Sequence, residues 1–243
     1  MEEKTRTDSL KKDKKNLVPS CASCEVELMD KICLFKAGTG GEGCPTLTRR
    51  KVLLEANREY EVPEVHEFAR QASIQEAEGY GESHQRSGIV QPVKTRVVEI
   101  CEFARKMGYQ RLGLSFCIGL AKEAGIVNEI LKVNGFQVVS ICCKGGRTPK
   151  ELIGVAHEEQ VVPGPNDEAM CNPIYQAKLL NHEKTEFNIL LGLCVGHDSL
   201  FFRYSHAPTT VLAVKDRVTG HNPLAAIYLS HVYYMKLRHP ELT

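Results

Sequence analysis

The chain has no tryptophan and five methionines in 243 residues, and neither scarcity decides its class. Other absences exclude more. No apolar run approaches the ~20 residues of a membrane span, and residues 1–18 hold no apolar stretch of the kind a secretory leader carries. Both absences lead to the expectation of a cytoplasmic protein without a membrane partner, in a compartment where thiols stay reduced. No sign of charge dominates. Lys and Arg number 31 against 30 Asp and Glu, a net +1, so there is no global field for nucleic acid. The basic residues of Lys11–Lys15 are local and read as a solvated tail. Four familiar signatures are missing as well: G-x-G-x-x-G after a strand, G-x-x-x-x-G-K-S/T, H-E-x-x-H and G-x-S-x-G.

What is plentiful is cysteine, with ten residues. Four of them, Cys21, Cys24, Cys33 and Cys44, follow the spacing C-x2-C-x8-C-x10-C and end on Pro45. A close C-x2-C pair lets two sulfurs reach one metal or cluster from a tight turn, and the longer loops bring two more ligands round. The irregular spacing and closing Cys-Pro are compatible with an iron–sulfur cluster of the 4Fe–4S type. Zinc is the alternative. A unit this small and rich in glycine cannot hold itself by apolar burial, so the metal would also supply its folding energy.

The pattern divides the chain into a polar, disordered tail (1–18), the four-cysteine unit (19–45), a helical connection (46–90) and an alternating helix–strand domain (91–243). In that last segment Arg111–Phe116 and Phe187–Leu193 read as strands. Phe136–Ile141 is apolar and β-branched and reads as a buried strand. Leu120, Ala124, Val127 and Leu131 recur at helical spacing, and Asn222-Pro223 opens a final helix with a cap and a proline at its first position. The order predicts an α/β fold, a Rossmann-like parallel sheet with helices on both faces, plus the small N-terminal unit. Phe116-Cys117-Ile118-Gly119 and Leu193-Cys194-Val195-Gly196 echo one another, each at the end of a predicted strand.

Cys117, Cys142, Cys143 and Cys194 fall where predicted strands end, and Cys171 opens a helix beside Asn172. Sites in open parallel sheets form beyond the carboxyl ends of the strands. Three readings stay open there: a second metal or cluster site, thiol chemistry with Cys117 or Cys194 as nucleophile, or small apolar packing. Polar companions share that edge. His197, Asp198 and His221 are candidates for proton transfer, and Lys144, Lys215 and Arg217 for holding an anionic substrate. Catalysis is thus assigned to Cys117, Cys194, His197, Asp198 and His221. Substrate or cofactor binding is assigned to Cys142, Cys143, Cys171, Lys144 and Asn172. The partners expected are a small-molecule substrate or an electron-transfer partner. Cys101 reads as helix packing; His66, His84, His157, His182 and His231 read as structural or exposed.

CASC near the start, FCIGLAKEAG, VVSICCKGG, AMCNPIYQAKLLN, LGLCVGHDSLF and VKDRVTGHNPLAAIY together resemble the domain-of-unknown-function family 1847 over roughly residues 20–230. The chain departs from that family between Cys24 and Cys44, where it is looser and richer in glycine. The resemblance implies a predicted metal-binding protein, of a kind found largely in anaerobic bacteria and archaea. It places the metal on Cys21, Cys24, Cys33 and Cys44 and implies no established reaction. A regulatory module built on structural zinc, sensing a metal or small ligand without turnover, is the alternative.

Overall fold

Strands β1 (Arg111–Phe116), β2 (Gln137–Cys142), β3 (Phe187–Leu193) and β4 (Thr209–Val214) form one sheet in the order β2-β1-β3-β4. Every pairing in it is parallel. The computed structural model describes residues 17–81, 90–162 and 168–242. The tail to residue 16, His84 and the glycine break at Gly88 lie outside the described residues.

The chain divides into two units, Met1–Ser73 and Ile74–Thr243. In the first, the described residues form short turns around the cysteines and three helices, α1 (Pro45–Thr48), α2 (Arg50–Glu59) and the start of α3 (Pro63–Gly79). None of residues 17–73 is buried. The loop folds back through Ile32 N–H to Thr39 O at 2.8 Å and Thr39 N–H to Asp30 O at 2.6 Å. Glycine is required where it does so, because a Cβ on Gly38 would lie 2.5 Å from the Ile32 nitrogen.

The second unit contains the sheet. Its remaining helices are α4 (Arg96–Lys106), α5 (Ala121–Val133), α6 (Pro173–His182), α7 (His197–Tyr204) and α8 (Pro223–Tyr228). From the middle of the sheet, β1-α5-β2 runs outward one way and β3-α7-β4 the other. Right-handed crossovers in opposite directions put α5 and α7 on opposite faces. The expected α/β fold with helices on both faces is therefore present. Helix α5 buries Ala124, Val127 and Leu131, the helical stripe read from sequence. Helix α6 packs with α7 and buries Pro173, Gln176, Ala177 and Leu180. Asn172 caps α6, its Oδ1 accepting from Tyr175 N–H at 2.9 Å.

Sheet order corrects one expectation. Strand β2 was read as buried, but it is an edge strand and no residue in it is fully buried. An apolar run marks a strand without saying how many neighbours it has. Strand β3, in the interior, is buried along its whole length. Its register to β4 shifts around Leu191, and Gly192 adopts φ +71°. That bulge turns Leu193 onto the face of Leu190, where both pack with Cys117, Cys143, Ala177, Leu180 and Phe201.

Candidate functional site

The carboxyl ends of β1 and β2 are one residue from two cysteines. Phe116 pairs with Cys142 across the two strands, so Cys117 and Cys143 follow on neighbouring strands. Cys143 N–H donates to Phe116 O at 2.8 Å, which holds the two ends together. Asn172 N–H then donates to Cys143 O at 2.8 Å and brings in Cys171 ahead of α6. The sulfurs of Cys143 and Cys171 lie 3.6 Å apart, and Ile118 N–H donates to the Cys143 sulfur at 3.3 Å. Cys117 packs in the same cluster as Cys143 and acts on its thiol as well. The result is a row of three sulfurs, Cys117–Cys143–Cys171, with Cys143 in the middle.

Charge is distributed unevenly along that row. The Cys171 thiol is held well below its usual range, first by the hydrogen bond from Cys143, then by His197, with the Lys144 ammonium adding to it. The His197 imidazole is pushed up, chiefly by Cys171. Cys171 and His197 thus push one another toward the thiolate and imidazolium forms, the arrangement that activates a cysteine nucleophile. Cys117 is also lowered, by Cys143 first, against the opposing cost of burial, and then by Gly119 N–H and Lys215. Cys143 is driven the other way by its two anionic neighbours and stays a thiol. It has a single S–H hydrogen, so it serves one neighbour at a time while the Lys215 or His197 cation supports the other.

Lys215 lies beside Cys117 and passes close to two glycines. A Cβ on Gly119 or Gly192 would lie 3.6 Å or 3.7 Å from its Nζ. Cys117 and Cys143 are buried, and Cys171 and His197 are partly exposed, so the row is open to solvent at the Cys171 end.

The remaining candidates occupy other places. Cys142 precedes Cys143 in an extended strand end, and alternation sends it to the opposite face. Cys194 accepts a hydrogen bond from Arg217 Nη2 at 3.2 Å, a pair separate from the row. Asp198 Oδ1 accepts from Ser199 N–H at 2.8 Å in the first turn of α7, from where its charge supports His197. His221 Nδ1 accepts from Asp216 N–H at 3.1 Å and closes its own loop. Asn172 acts as cap and tether, its Nδ2 donating to Thr148 Oγ1 at 3.3 Å. Lys144 donates to Ala169 O and faces the Glu168 carboxylate at 3.7 Å, which ties the loop beneath Cys171. Cys101 is buried in α4, where burial raises its thiol.

Gln176 escaped the sequence reading. It is fully buried, and its Nε2 donates to Phe116 O at 3.2 Å and Ile141 O at 3.1 Å, clamping the two strand ends just before Cys117 and Cys143. A glutamine on the buried stripe of the helix that follows Cys171 and Asn172 is the signal that could have found it.

In the first unit, Cys21, Cys24, Cys33 and Cys44 all line one open cavity of about 610 Å³. A Cβ on Gly40 would lie 2.7 Å from the Cys44 sulfur, so glycine lets the loop pass close to it. Four thiols suit zinc or an iron–sulfur cluster in kind and number. Among the described residues, however, no group of three or more His, Cys, Asp or Glu side chains converges as a ready metal site.

The sequence profile of a protein family of unknown function, DUF1847, matches residues 44–212. The chain belongs to the DUF1847 family. An uncharacterized protein of Methanocaldococcus jannaschii is 48% identical over 143 residues, which cover 59% of this chain and 70% of that protein. The DUF1847 match contains Cys117, Cys143, Cys171 and His197, and begins at Cys44, so Cys21, Cys24 and Cys33 precede it. Lys215, Arg217 and His221 follow its end. Among the described residues no helix is long and apolar enough to cross a membrane.

Proposed function

We propose that this DUF1847 protein carries out thiol redox or sulfur chemistry at the carboxyl edge of its sheet. The supporting observation is the Cys171–His197 pair with a second thiol, Cys143, 3.6 Å behind it. The Cys171 thiolate attacks one sulfur of a small-molecule disulfide and expels the other half as a thiolate. Cys143 attacks Cys171 and its proton passes to the second half, which leaves as a thiol, and a Cys143–Cys171 disulfide remains. The substrate is thereby reduced by two electrons and the cysteine pair oxidised by two.

The test is the reaction of the reduced protein with an aromatic disulfide reagent at pH 6, with labelling read residue by residue by mass spectrometry. Cys171 should react ahead of the other cysteines and release two equivalents of reagent thiol. Its replacement, Cys171→Ser, should abolish this fast phase. A fast phase that survives the replacement overturns the reading.

The four cysteines around the first unit's cavity favour a second role for the same chain, metal binding by Cys21, Cys24, Cys33 and Cys44. An iron–sulfur cluster there would pass electrons to or from a partner; zinc would serve structure alone. Either would stabilise a segment that has no buried residue of its own.

A further inference from the structure

The thiol reading uses two sulfurs, and the row contains three. Cys143 has the Cys171 sulfur at 3.6 Å and packs in the same cluster as Cys117, whose thiol it lowers. Neighbouring strands lie about 4.8 Å apart, and Cys117 and Cys143 sit one position past the Phe116–Cys142 pair. That places their backbones in the separation a disulfide needs. Gln176 fixes both strand ends and Lys215 lies beside Cys117, so the inner pair is held in place next to a cation.

We propose that Cys117, Cys143 and Cys171 form a three-thiol relay, in which an oxidation received at Cys171 is passed inward and stored as a Cys117–Cys143 disulfide. The proposal rests on the thiol reading above and adds one step. The Cys117 thiolate attacks the Cys143 sulfur of the Cys143–Cys171 disulfide. A Cys117–Cys143 bond forms, the Cys143–Cys171 bond breaks, and Cys171 departs as a thiolate beside His197. The step begins with one thiolate and one disulfide and ends with one of each, so it needs no oxidant, reductant or proton. Its consequence is that Cys171, the partly exposed sulfur, is restored as a nucleophile while the oxidising equivalents lie in a buried pair.

The experiment follows disulfide connectivity over time in the full chain. Reduced protein receives one equivalent of hydroxyethyl disulfide, is quenched in acid, alkylated, digested and mapped, with fragmentation separating Cys142 from Cys143. The Cys143–Cys171 linkage should form first and be replaced by Cys117–Cys143, with Cys171 again alkylated. In Cys117→Ser the outer linkage should persist, and in Lys215→Met its replacement should slow. A wild-type protein whose Cys143–Cys171 linkage persists overturns the relay and leaves the thiol reading standing. Failure to form that linkage in either wild type or Cys117→Ser overturns both.

Discussion

Replacing His197 with glutamine keeps a hydrogen-bond donor of similar size beside Cys171 and removes the charge. Cys171 is lowered by Cys143 first and His197 second, so the substitution should raise its pKa only part of the way back. An opposite charge at close range lowers a group by about 1–3 units. For a partly exposed pair the lower half of that range is appropriate, which moves the thiol from about 4 to about 5–6 and means about a 2- to 10-fold smaller thiolate fraction at pH 5, shrinking to about 2-fold or less at pH 6. The assay is the rate of Cys171 carboxamidomethylation from pH 4 to 10, read on its own peptide. The His197→Gln curve should run below wild type in acid and meet it in alkali, where both proteins hold the thiolate. Coincident curves between pH 4 and 5.5 in a folded variant would refute the pairing.

Three other outcomes follow from the geometry. Cys171 is lowered in the folded protein, so its stabilisation grows as pH rises from about 4 toward about 8.5, where the unfolded thiol ionises, by up to about 1.4 kcal/mol per pH unit. His197 is raised, so its contribution is complete below about pH 6.5 and is lost as pH rises through its folded value. The gap between urea titrations of wild type and His197→Gln should close as pH rises through that value. In Gly192→Ala the new Cβ would meet Leu120 Cδ1 at 2.2 Å with φ at +71°. A loss of about 2–5 kcal/mol in urea unfolding is expected from backbone strain and overpacking together. Protein purified without oxygen should be brown and carry iron and sulfide in comparable amounts, lost together when Cys21 and Cys24 become serine; a colourless protein with one zinc assigns zinc instead.

Local pattern was enough for most elements. Arg111–Phe116 and Phe187–Leu193 have the strand bounds expected from their apolar runs, and His197 begins its helix where expected. The half-exposed place of β2 was not readable, because its apolar residues look the same with one neighbouring strand or two. The echo between Cys117 and Cys194 survives as two βαβ units, yet only Cys117 joins the sulfur row. Strand β2 delivers Cys143 beside Cys117; β4 leads instead to Arg217, which takes Cys194.

The sequence alone determined that cysteines gather at chain breaks, that a parallel α/β sheet would gather some of them at one edge, and that no membrane span of helical type is encoded. Tertiary structure decided which sulfurs meet. Cys117, Cys143, Cys171 and His197 come from four separate strand and helix ends, and their order in the row depends on strand order, on the Asn172 tether and on the Gln176 clamp. Those are long-range contacts. Residue spacing constrains a turn or a helix face directly, but it says nothing about which strand lies next to which, and that neighbourhood sets Cys143 between Cys117 and Cys171.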